Sequence, residues 1–315
     1  MTVYAMRGVS EGLFIPLLLG VCLLVLTRDG RSPSLRRAAL AGLLLGFAIL
    51  VRSSALLLPL LLPLWLLWRR PRRESWRAAL VLGVTSCVVL VPWLVRNEVV
   101  MHTSALSTNG GYTIWMGANP KATGGFAPRR NRWPVLGIAY ETHQNSTLLS
   151  ESVSYVIHHP LDWLGLIPAK TEQLMLWNPG LLQSDLAAQT GNNPRGGWHA
   201  RRVTGAEATL IKGSLHHLWL FKLWHYLYWS LGGIALALAA RKRLPGAGLA
   251  ALLVGFWIIF HATLVIGEPR YMISVTPLVA PALAWLLVAA ARWGKTRATG
   301  DTRTARTPSP LTNGL

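Results

Sequence analysis

The sequence predicts an all-α polytopic membrane protein with about seven transmembrane helices and a large loop region on the outer side. Three observations predict it. Hydrophobic residues fill 52% of the 315 positions and charged residues only 14%, where a soluble domain usually carries about a quarter; mean hydropathy is +0.37. Seven apolar runs are long enough to be considered as spans. Finally, Lys and Arg number 31 against 12 Asp and Glu, a net charge of +19, and more than half of those cations crowd into four short segments.

In a soluble chain such a basic balance points to nucleic acid. In an apolar chain it points to arginines fixing helices against an anionic membrane face, so the expected partner is the lipid bilayer and not nucleic acid. The spans are 9–27, 38–51, 53–68, 78–95, 219–239, 246–267 and 271–291. They divide the chain into a four-helix segment 1–95, an outer loop region 96–218, a three-helix segment 219–291 and a basic tail 292–315. The cation-rich stretches are 28–37, 69–77, Arg241-Lys242-Arg243 and the tail. Positive-inside bias puts them in the cytoplasm and the N-terminus outside.

Residues 38–68 need a decision, because only Arg52-Ser53-Ser54 interrupts them. Both flanks are cytoplasmic in type, so the chain must cross an even number of times. Two arms of about 15 residues rise about 22 Å each. They form a shallow hairpin with Arg52 at its tip and Pro59 and Pro63 bending the second arm. Trp65, Trp68, Trp93, Trp219, Trp224 and Trp293 fall near span ends, as an aromatic belt requires. Cys22 and Cys87 sit in apolar runs without a second thiol or histidine at ligand spacing. They read as small buried hydrophobes.

Most carboxylates, from Glu98 to Glu268, fall on the outer side, with Glu11 close to that boundary. The span interiors are nearly free of charge, with Lys222, His225 and His261 as polar exceptions. That pattern, with no inverted repeat, argues against an ion-coupled carrier. In the outer region, turn signals (Asn109-Gly110-Gly111, Asn119-Pro120, Gly124-Gly125, Gly191 to Pro194) separate helical stretches at 148–159 and 160–178. The second reads as an amphipathic helix on the membrane surface, dipping in Leu164, Leu174, Leu176 and Trp177. Asn145-Ser146-Thr147 reads as a chance glycosylation triplet, and His158-His159 as an exposed pair. No HExxH, CxxC, GxSxG, Walker or GxGxxG motif occurs, and no metal is expected.

What remains is a set of cations at the outer boundary. Arg52 tips the hairpin, Arg96-Asn97 ends the fourth span, and Lys170 lies on the surface helix. Glu268-Pro269-Arg270-Tyr271 forms the turn between the last two spans. Guanidinium forks pair bidentately with phosphate oxygens, so convergent cations and hydroxyls suit a phosphate headgroup. The plain alternative is that each is an anchor snorkelling to lipid headgroups, with Glu268 and Arg270 a local ion pair.

Several stretches follow one another in a familiar order: Ser10-Glu11 opening a span, AGLLLGFAILVR at 41–52 and VPWLVRN at 91–97. GANPKATGG at 117–125, HHPLDWLGLIPAK at 158–170 and GEPRYMISVTPLVAP at 267–281 complete the series. Together, over 9–291, they resemble the middle and C-terminal part of bacterial glycosyltransferase family 39. Those proteins are relatives of protein O-mannosyltransferases and lipid A aminoarabinose transferases, with the GT-C membrane fold. The resemblance implies a GT-C-like fold without its N-terminal helices. It implies transfer of a sugar from a polyprenyl-phosphate donor to an acceptor on the outer face, and it assigns no cofactor beyond that donor. It also implies donor-phosphate binding at Arg270 and Tyr271, and it matches Arg52 to an arginine ending the AGLLLG helix. The family's catalytic aspartate belongs to a first outer loop that this chain does not match. The catalytic residue is therefore unassigned, and Glu11 matches a recurrent glutamate without being promoted to catalyst. Two other readings stand beside the transferase: a non-catalytic membrane remnant or interaction protein, and a transporter of lipid-linked saccharides.

Overall fold

The computed structural model describes residues 10–27, 32–69, 73–125, 137–176 and 218–299, excepting the side chains of 137–141, 218, 221 and 293–299. Residues 300–315 of the basic tail, Trp177, the 191–194 turn and the Trp293 side chain lie outside what is described, while 292–299 continue the last helix. Among the described residues there are eleven helices and no strand. They are α1 (Glu11–Val25), α2 (Leu35–Val51), α3 (Leu58–Arg69), α4 (Arg73–Met101), α5 (Gly110–Gly117) and α6 (Gly137–His158). The chain continues through α7 (Pro160–Met175), α8 (Leu218–Arg241), α9 (Ala247–Thr263), α10 (Pro269–Ile273) and α11 (Thr276–Thr299).

Each expected apolar run is therefore helical with shifted ends, except that 271–291 is divided between α10 and α11 at Ser274-Val275. The hairpin forms: α2 stops at Val51, a 3-10 turn covers Ser53–Ala55, and α3 begins at Leu58. Ser34 Oγ accepts from the Arg37 amide and starts α2. Among the described residues α4 is the one helix long and apolar enough to cross a membrane, at 29 residues, while Glu11–Val25, Ser53–Arg69, Ala247–Thr263 and Thr276–Arg292 are shorter apolar helices. It runs six residues past the expected boundary at 95, because Val95, Val99 and Val100 continue its apolar face around Arg96-Asn97.

Side-chain contacts fix the directions. Arg37 reaches back to the end of α1, its Nε donating to Leu24 O and its Nη2 to Leu23 O (2.7 Å) and Leu26 O (2.9 Å). A cation there satisfies carbonyls that a helix end leaves open. Ser32 and Ser75 share a hydroxyl hydrogen bond, and Gly246, at the start of α9, packs on Leu26. So the ends of α1, α4 and α9 that neighbour basic segments gather at one end of the bundle. Glu11, Arg52, Thr263 and the 267–276 stretch gather at the other.

α2 lies along α4 because Gly42 and Gly46, one helical turn apart, let the backbones meet. A Cβ on Gly42 would stand 2.5 Å from the Leu82 carbonyl oxygen, and one on Gly46 2.5 Å from Val89 Cβ. Small residues at this spacing permit close helix approach without any side chain between them. The core is Phe14, Leu18, Leu45, Ile49, Leu58, Leu62, Leu82 and Trp257. Cys22 is buried as expected. Cys87 is exposed, since Ser86 takes the inward position of that turn in α4.

Candidate functional site

The end of the bundle opposite the basic segments holds a knot of charge. Arg52 ends α2, where an extended backbone breaks the helix. Its Nη1 donates to Glu11 Oε1 at 2.7 Å and to Ser274 Oγ at 3.1 Å. Both side chains of the ion pair are almost sealed from solvent, at 9% and 2% exposed. The guanidinium also lies 5.1 Å from the Tyr271 ring and 5.8 Å from that of Trp257, distances at which a cation is held by an aromatic quadrupole.

Tyr271 is the hub. It sits in the short helix α10, opened by Pro269 at its first turn. Its backbone oxygen accepts from Trp257 Nε1 at 2.8 Å, and its ring lies 4.4 Å from that of His261, whose Nδ1 is bonded to Trp257 O. A second guanidinium, Arg270, stands 5.4 Å from the same Tyr271 ring. Arg270 Nε lies 3.0 Å from Glu268 Oε2, though neither atom makes an aligned hydrogen bond. Burial pushes the Glu268 carboxyl above its usual range while Arg270 and Arg52 pull it back. For Arg270, burial works to lower the pKa, but Glu268 outweighs it and the group stays firmly cationic.

Lys170 is built in from the side. On α7, Trp163, Ile167, Lys170 and Leu174 recur every three to four residues and form the inward stripe, with Lys170 and Leu174 fully buried. Leu174 therefore packs inside rather than dipping outward as the amphipathic reading expects. Leu161 and Leu164 are the exposed apolar side chains of this helix. Lys170 Nζ donates to the Thr263 carbonyl at 2.9 Å, and Trp163 Nε1 donates to the same oxygen at 3.1 Å. That C-terminal carbonyl of α9 is open to them because no further helical turn uses it. Burial lowers the Lys170 amine to about 8.

Three of the sequence stretches meet around this lysine. A Cβ on Gly117 would collide with Val265 O and stand 3.1 Å from Lys170 Nζ, and one on Gly267 would collide with Lys170 O. Gly124, at φ +89°, accepts from the Gly267 amide at 2.8 Å. GANPKATGG, the end of α7 and GEPRY are thus one interlocked unit, which their separation in sequence conceals.

The structure brings Arg52, Arg270 and Tyr271 together and sets Lys170 against the chain that leads into them. Arg96 has its partners on its own helix instead: Trp93 (5.2 Å to the ring), Asn97 Oδ1 and Met101 Sδ. Sequence reasoning undervalued Glu11 and missed Ser274. The signal for Glu11 was available, since a carboxylate opening an apolar helix and an arginine ending another each need a partner. Asn145 has a structural task, its Oδ1 accepting from the Gly111 amide at 2.6 Å. His158 and His159 are exposed, His159 lying 3.6 Å from Asp162. Among the described residues no group of His, Cys, Asp and Glu could hold a metal ion. Compared with known proteins, the chain matches no family model, no curated protein and no solved structure.

Proposed function

We propose that this chain is a membrane glycosyltransferase of the polyprenyl-phosphate-dependent kind, acting on the outer face of a bacterial plasma membrane. The membrane part of the reading is supported by side chains that point away from the bundle. Leu23 (71% exposed), Leu80 (66%), Ile259 (64%) and Leu60 (63%) belong to a girdle of outward leucines and valines. Water would oppose so large an apolar surface, and hydrocarbon would not. The gathering of Arg37, Arg73 and Arg241 toward one end supports the orientation.

The observation that carries the activity is the pair of guanidinium groups, Arg52 and Arg270, set against one tyrosine ring at the end away from the basic segments. In the transfer, the bond between the sugar's anomeric carbon and the lipid phosphate breaks and a bond to the acceptor oxygen forms. The acceptor's proton passes to a base that we leave unassigned. Negative charge grows on the departing phosphate, and fixed cations there stabilise the transition state more than the ground state. Arg270 meets the phosphate first, being the less buried of the two. Glu11 is bound to Arg52 and serves to hold it.

A second reading, a non-catalytic membrane protein, is favoured by one fact: both arginines already have carboxylate partners, so the knot could be purely structural. Binding separates the two. Purified chain in lipid nanodiscs is titrated with a polyprenyl phosphate, followed by native mass spectrometry. The transferase reading expects saturable binding that Arg270→Ala weakens at least about tenfold, the loss of one charge-assisted bidentate contact. Equal binding by the variant with unchanged melting would remove the phosphate site and leave the structural reading.

A further inference from the structure

An open cleft of about 500 Å³ lies apart from the arginine knot, between the end of α5, the turn after it and α6. Its lining includes Trp115, Asn119, Glu151, Ser154, Tyr155 and His158. Four of these, Glu151, Ser154, Tyr155 and His158, stand at i, i+3, i+4 and i+7 on α6. That is one face of a helix, presenting a carboxylate, a hydroxyl, a phenol ring and an imidazole in a row. Trp115 faces them from the last turn of α5, and the Asn119 turn closes one end. That turn is braced by its own side chain: Asn119 Nδ2 donates to Trp115 O at 2.6 Å, and its Oδ1 accepts from the Lys121 amide at 2.8 Å.

Tyr155 and His158 are held in place before any ligand arrives. The Tyr155 ring stacks on His159 at 5.2 Å. His158 Nδ1 is 2.7 Å from Ser154 O, and a carbonyl oxygen only accepts, so Nδ1 carries the proton and Nε2 is left as an acceptor in the neutral ring. The volume falls within the about 300–1,000 Å³ of small-molecule sites. No lysine or arginine lines it. A phosphate or other anion would meet Glu151 unopposed, which excludes the kind of ligand suited to Arg52 and Arg270. A flat ring with apolar C–H faces and a rim of hydroxyls fits instead. Its faces would lie on Trp115 or Tyr155, and its hydroxyls would bond to Glu151, Ser154 and His158, each an acceptor.

We infer that this cleft binds a neutral pyranose unit of a saccharide, as the acceptor side of the chain. The acceptor role rests on the transferase reading; the saccharide chemistry rests on the cleft alone. The test uses the full chain in detergent micelles with methyl α-glucopyranoside, methyl α-mannopyranoside and maltose as probes, and glucose 6-phosphate as the charged control. Saturation-transfer NMR should show at least one neutral probe bound through its ring protons. Tyr155→Ala and Glu151→Gln should each weaken it by about fivefold or more, one lost stacking or hydrogen-bonding contact. Both positions are at the surface, so circular dichroism should show these variants folded. No transfer to any neutral probe, undiminished binding in both variants, or tighter binding of glucose 6-phosphate would each overturn the inference. Polyprenyl phosphate is titrated in parallel. Saccharide bound without it keeps the cleft and sinks the transferase; polyprenyl phosphate bound without saccharide does the reverse.

Discussion

Arg52 Nη1 and Glu11 Oε1 meet at 2.7 Å, joining the end of α2 to the start of α1 at a depth where neither side chain sees much solvent. Removing two charges from water costs several kcal/mol each, and their attraction repays it only when the remaining donors are used. Here Ser274 and two aromatic rings use them. The pair fixes three chain segments to one another: the start of α1, the hairpin tip, and the turn into α11.

Breaking that pair from one side should be costly. Glu11→Ala leaves a buried guanidinium without its counter-charge, and we expect a loss of about 3–5 kcal/mol. The double variant Glu11→Met, Arg52→Met should recover most of it, because no charge is then stranded. Thermal melting of the four corners of this cycle in detergent measures the coupling. Additive losses would mean that the two residues act independently.

Lys170 makes a pH prediction. Burial lowers its amine to about 8, so in the free chain it is neutral above that pH, whereas an anion nearby would hold the proton on. Affinity for a polyprenyl phosphate should therefore fall as pH rises through about 8. Folding has the opposite slope. The folded-state pKa lies below the unfolded value of 10.5, so the unfolded chain binds more protons between about 8 and 10.5, and this residue makes stability rise with pH there. Lys170→Met should flatten both trends. A persisting affinity step in that variant would assign the titration to another group.

Much of the architecture was legible because it is written in one dimension. Apolar runs placed the helices, and the Arg52-Ser53-Ser54 interruption placed the break between α2 and α3. The site was only half legible. Arg270-Tyr271 are neighbours in sequence, but Glu11, Arg52 and Ser274 come from three separate segments, and no local pattern says which charge answers which. The α7 stripe was misread for a related reason. An amphipathic period shows that a helix has two faces, and it does not say whether the face with Leu174 and Lys170 meets lipid or protein. Lys170 is inward because an open helix-end carbonyl, Thr263 O, waits there.

Gly117 and Gly267 should tolerate no side chain. In each case a Cβ would be driven into backbone oxygen, of Val265 and Lys170 respectively, which cannot swing aside as a side-chain tip could. Alanine at either position should cost about 1–3 kcal/mol or more as overpacking. It should also displace Lys170, so polyprenyl-phosphate affinity should drop with melting temperature. Gly165, with nothing within 4 Å of an added Cβ, is the matched control. Its alanine variant should melt at or slightly above the parent, since alanine is the better helix former.

Orientation is the last expectation, and it can be read without knowing the substrate. Lys121 lies on an exposed turn beside the GANPK glycines, and Arg241 is exposed at the end of α8, among the basic segments. If arginine clusters mark the cytoplasmic face, a cysteine at 121 should react with an impermeant maleimide in intact spheroplasts, and one at 241 only after the membrane is opened. Cys87 is replaced by serine in both, which removes the exposed background thiol of α4. Labelling of 241 and not 121 in intact cells would invert the molecule. The arginine knot would then face the cytoplasm, where an outward transfer from a lipid phosphate could not begin. Labelling of both sites in intact cells would remove the membrane barrier between the two ends, and with it the reason for reading the outward leucines as a lipid-facing girdle.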